Sequence, residues 1–66
     1  MTTTPYIGQL VHYRTRGAPS RIVAAMIVGL HDEGERVDLT IFEFGRVAYA
    51  PAAVRGTLPG CWQEIA

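Results

Sequence analysis

Residues Ile22 to Leu30 form nine consecutive positions without a polar side chain. A strand with one wet face alternates apolar and polar residues. This run does not alternate, so a strand here needs cover on both faces. The β-branched residues Ile22, Val23, Ile27 and Val28 and the flanking turn residues favour a strand over a buried helix, although Ala24-Ala25-Met26 would suit one. The expected strand spans 21–31. A chain of 66 residues has little material to cover both of its faces. Either the sheet curls into a barrel, or a second copy supplies the missing layer.

The other elements follow from alternation and punctuation. Residues 1–5 read as a flexible tail, and residues 6–14 as the first strand. There Val11 and Tyr13 share one face, and Leu10, His12 and Arg14 share the other. Gly17 and Pro19 mark a loop at 15–20. Asp32-Glu33-Gly34-Glu35 is a polar turn, and 36–44 alternates cleanly: Val37, Leu39 and Ile41 against Arg36, Asp38, Thr40 and Phe42. Strands two and three therefore read as a hairpin. Gly45-Arg46 reads as a turn, 47–50 as a short strand ending at Pro51, 51–55 as one helical turn with Pro in its first position, 56–60 as a loop and 61–65 as a last strand. The expected fold is all-β: a small antiparallel SH3-like barrel of four to five short strands, as one domain over 6–66. Its predicted interior is Val11, Tyr13, Val37, Leu39 and Ile41, with one alternate set from the second strand.

At this size one core rarely supplies more than roughly 3–5 kcal/mol. Cys61 is the only cysteine, so an internal disulfide is excluded, and His12, His31 and Cys61 have no zinc-like spacing. Self-association is the remaining staple, and two-sided burial of Ile22 to Leu30 predicts a dimer or higher closed oligomer. The start Met-Thr-Thr-Thr-Pro has no basic or apolar leader character, and nine apolar residues are too few to span a bilayer. A soluble product in a reducing host cytoplasm, or in a virion, is the expectation.

Formal net charge is zero, which argues against a dedicated duplex nucleic-acid binder. The basic residues are all Arg, a usage that fits GC-rich coding, with bidentate anion binding as the other reading. Arg14, Arg16 and Arg21 fall in the first 30 residues, where there is no acid, while five acids lie between Asp32 and Glu43. No nucleophile elbow, phosphate-cradling glycine loop, His-x-x-x-His or paired-carboxylate motif is present, so the chain reads as non-catalytic, without cofactor or metal. His12, Arg14, Arg16 and Arg21 form the densest set of cationic or titratable groups, with Phe42 or Trp62 as a stacking surface. Together they suit an anionic, nucleotide-like ligand.

Gly8-x-x-Val11-His12-Tyr13, the Gly/Pro loop, Ala24-Ala25-x-Ile27-Val28, Val37-x-Leu39-x-Ile41-Phe42, Gly45, Gly56-Thr57 and Trp62 together resemble a group of small β proteins encoded by phages and prophages of actinobacteria and related hosts. The resemblance covers nearly the whole chain. It departs at the end, where Leu58 to Cys61 separate Thr57 from Trp62 and the tail lacks a second aromatic residue. It implies a phage origin and a small β fold, and no particular activity. Two functional classes follow. One is a homo-oligomeric protein that sequesters a nucleotide-like host defence signal. The other is a structural virion component or protein–protein adaptor, such as a capsid decoration. A weak nucleic-acid-binding barrel comes third.

Overall fold

A computed structural model describes residues 4–65. Five strands make one antiparallel sheet in the order β4-β3-β2-β1-β5: β1 (Leu10–Arg14), β2 (Ile22–His31), β3 (Arg36–Glu43), β4 (Arg46–Val54) and β5 (Trp62–Glu64). The sheet curls until the residues just past β4 meet β5. Arg55 bridges Trp62, and the Gly56 N–H donates to the Trp62 carbonyl at 3.0 Å. This closure makes a small barrel that covers one face of the apolar run and leaves Ile22, Ala24 and Val28 exposed on the other.

The interior is small. Val11, Tyr13, Ala25, Ile27, Val37, Leu39, Ile41, Ala53 and Trp62 are buried, with Val23, Ala48 and Ala50 packed against them. The five interior positions predicted from β1 and β3 all lie inside, and β2 contributes Val23, Ala25 and Ile27. The tail expected at 1–5 falls partly on residues 1–3, outside the described residues. Within it Pro5 is buried, and its ring lies against Gly34.

Three local expectations change. Residues 51–55 form no helical turn, because β4 continues to Val54. Pro51 lacks a backbone N–H, which an interior ladder position would need, but it falls in a bulge where none is required. Its neighbour Ala52 takes a left-handed φ of 52°. The short helical turn is instead a 3-10 turn at Asp32–Gly34. The third hairpin turns on Phe44-Gly45, with Gly45 at φ 80°, and Arg46 already belongs to β4. At the first strand, residues 6–9 fold as a turn, although the Gly8 N–H still reaches the Ile27 carbonyl at 2.7 Å.

Both neighbours of β3 bulge at the same place. On one side Ile27 pairs with Leu39 and Gly29 with Asp38, leaving Val28 extra. On the other, Val37 pairs with Ala53 and Leu39 with Ala50, leaving Pro51 and Ala52 against Asp38 alone. The Asp38 carboxylate occupies this double irregularity. The Ala52 N–H donates to its Oδ1 at 2.9 Å, and His31 Nε2 lies 2.9 Å from its Oδ2. Gly29 makes room for it: a Cβ there would stand 2.7 Å from Oδ2. The Ala52 amide, and after it the His31 ring, hold the Asp38 carboxyl below its ordinary value of 3.8.

Two outcomes follow. Leu39 is 1% exposed, so Leu39→Ala is expected to cost about 2–5 kcal/mol in chemical denaturation; a wild-type midpoint would show that Leu39 does not face the interior. A carboxyl that titrates lower when folded adds stability in full above its unfolded pKa, and loses it as pH falls through the folded one. The melting temperature should therefore drop on acidification below about pH 4, and Asp38→Asn should flatten that drop.

Candidate anion-binding cleft

The loop joining β1 to β2 is pinched at its neck. The Thr15 N–H donates to the Arg21 carbonyl at 2.8 Å, the Arg21 N–H donates to Thr15 Oγ1 at 2.9 Å, and Ser20 Oγ donates to the Thr15 carbonyl at 2.8 Å. Arg16 and Arg21 are thereby rooted side by side at the open flank of the barrel. Opposite them runs the first half of β4, whose outer edge carries no partner strand. Between the two lies an open cleft of about 590 Å³, walled by Arg16, Arg21 and Arg46, with Tyr13 and Ile41 at its floor and Tyr49 at its rim. Arg16, Tyr13 and Tyr49 also border an adjoining hollow of about 410 Å³, which runs beneath Pro51 to Cys61. Volumes of this size suit a small organic ligand.

The charges of the cleft are unequal. Arg46 pairs with Glu43, at 3.0 Å from Nε and 2.9 Å from Nη2. Among the described residues no carboxylate lies within ion-pair distance of Arg16 or Arg21, so the walls keep a positive excess. The Arg16 guanidinium lies against Gly60: a Cβ at that glycine would stand 2.7 Å from Cζ, Nε and Nη2 alike. Gly60 itself is held by its N–H donating to the Arg14 carbonyl at 2.7 Å, with φ 87°. The backbone of 60–61 thus forms a plate on which the fork of Arg16 rests.

The six residues singled out from sequence are divided between three places. Arg16 and Arg21 come together in the cleft. His12, Arg14 and Phe42 lie on the outer face of the sheet, where His12 pairs with Ala24 and Ala24 with Phe42. Two strand spacings, about 10 Å, therefore separate His12 from Phe42. His12 instead borders a second hollow of about 600 Å³ with Arg55, Thr57, Gln63 and Glu64. Arg14 lines neither. Trp62 is 0% exposed, and the Arg55 guanidinium, 4.4 Å from the ring centroid and paired with Glu64, covers it. Its ring is a core element and offers no stacking surface.

Arg46 and Tyr49 are the cleft residues that sequence reasoning missed. Arg46 falls in the turn that the sequence predicts at 45–46, and Tyr49 in the short strand predicted at 47–50. The Phe44-Gly45 pair was the available signal, because a two-residue turn there starts β4 at Arg46. Among the described residues no group of three or more His, Cys, Asp or Glu is arranged to hold a metal ion, and no helix is long and apolar enough to cross a membrane. No protein-family model, curated protein or solved structure matches the chain.

Proposed function

We propose that this chain is a non-catalytic binding protein for a small anion bearing a planar group, a nucleotide-like ligand being the best fit. The observation that carries this reading is the cleft itself. Two arginines without a carboxylate partner among the described residues, and a third, salt-bridged one, border a space of ligand size, beside an exposed tyrosine ring. Arginine forks grip phosphate oxygens bidentately. Arg16 is already flattened against the Gly60 backbone, so less side-chain freedom is lost when it binds. The Tyr49 ring supplies a face for a base. The neighbouring hollow under Pro51 and Ala53, of mixed polar and apolar lining, would take the rest of the ligand. Binding without turnover makes the protein a sequestering device, and its relation to a host defence signal rests on the resemblance to phage-encoded β proteins.

Calorimetry with cyclic and linear adenine and guanine nucleotides tests the reading. A charge-assisted contact is worth roughly 1.5–3 kcal/mol, so Arg16→Ala and Arg21→Ala should each weaken binding by about tenfold or more. Arg36→Ala, on an exposed residue paired with Asp32 away from the cleft, should leave it unchanged. Absence of binding by every nucleotide would set the reading aside in favour of an adaptor role. Binding that survives both cleft substitutions would place the ligand in the hollow beside His12.

A further inference from the structure

Barrel closure covers only one side of β2. The other side stays open, and with it a band across four strands. One row is His12, Ala24, Phe42 and Val47, and the next is Leu10, Met26, Thr40 and Tyr49, each traced by direct pairing. Leu10, Phe42 and Val47 are between 42% and 55% exposed, and Ile22 extends the band at one end. No Arg, Asp or Glu stands in either row; Arg14 borders one end and Asp38 the other. No described segment lies over the band.

We infer that this outer face of β1–β4 is the contact surface for a second copy of the same chain. Three observations select that occupant. First, a two-fold axis sets a patch against itself, and a band without ionised carboxylates or guanidinium groups does so without like-charge repulsion. A partner recognised by charge would find nothing here to read. Second, the area is right for a reversible dimer. Two rows about 6.7 Å apart on four strands about 4.8 Å apart cover a flat footprint of roughly 250 Å², and the accessible surface of the side chains that stand on it, with Ile22, is on the order of 500 Å² per copy. Two copies then bury about 1,000 Å², the lower bound of a specific interface. That is also within the range in which an apolar patch on a small protein marks an interaction site. Third, the interior comprises nine buried residues, so a second apolar layer adds a large fraction to what the chain buries alone. Tyr49, at the rim of the cleft, also ends the second row of the band, so pairing reaches the edge of the ligand site and leaves Arg16 and Arg21 outside the contact.

Sedimentation velocity of the full chain, from low micromolar to millimolar concentration, is the test. The expected result is a reversible shift from 7.2 kDa to twice that mass. Phe42→Glu and Val47→Glu should each weaken it by tenfold or more while keeping the wild-type circular dichroism spectrum. Concentration-dependent amide shifts of the unmodified chain give a readout that needs no variant, and should cluster on Leu10, Ala24, Phe42 and Val47. A monomer at every concentration would overturn the inference, whether or not nucleotide binds. So would a dimer indifferent to both substitutions, or amide shifts confined to the Arg16 cleft or to β5.

Discussion

The Asp38 carboxylate is the constraint on which the barrel depends. A flat antiparallel sheet of five short strands does not close. It must coil, and bulges are the usual device for local coiling. Here β2 and β4 bulge on either side of the same residue of β3, and one carboxylate serves both irregularities. It accepts the amide of Ala52, which the β4 bulge withdraws from the ladder, and it fills the space left by the missing side chain of Gly29. The ion pair with His31 is exposed and adds little by itself. The backbone hydrogen bond matters more, because it stabilises a left-handed Ala52 that would otherwise be unfavourable by roughly 1–2 kcal/mol.

The consequence is a change of parity. Along β4 the interior positions are Ala48 and Ala50, then Ala53, a step of three where a regular strand steps by two. The same step in β2 leaves Val28 extra, pairs Gly29 with Asp38 and sets Leu30 against Val37. Past the bulge β4 bends toward β5, where Arg55 reaches Trp62 and closes the barrel at one end. At the other end β4 has no partner, and the cleft opens there. Closure and cleft are two results of one bend.

The parts of this fold that alternate were legible in the chain. Val37, Leu39 and Ile41 define an inner face without help from any other segment, and Val11 with Tyr13 does the same for β1. What alternation cannot express is a bulge, since it shifts the pattern by one and resembles a strand end. Residues 51–55 therefore read as a helical turn, and alternation does no more than place Asp38 on the face opposite Val37, Leu39 and Ile41. Gly29, inside an otherwise branched apolar run, was the available sign that another group approaches the backbone closely. The candidate site was legible in part. Arg16 and Arg21 sit at the two stems of one loop, so their proximity follows from sequence distance. Arg46 and Tyr49 join them only through the curl of the sheet, a long-range fact. His12 and Arg14 share a strand face, as alternation requires, but that face points away from the cleft.

The unbroken apolar run at Ile22 to Leu30 is now divided by task. Val23, Ala25 and Ile27 build the interior, and Ile22, Ala24 and Met26 build the outer band. Alanine at two central positions keeps both layers close to the β2 backbone. On the inside Ala25 sits beside Val11 and Ile41 in a core too small for a larger residue. On the outside Ala24 lies between His12 and Phe42, a small side chain between two larger ones. That leaves a shallow place on the face, where a side chain of a second copy has room. Small side chains at adjacent positions thus serve both layers: Ala25 lets the barrel close tightly, and Ala24 shapes the surface by which two barrels can pair.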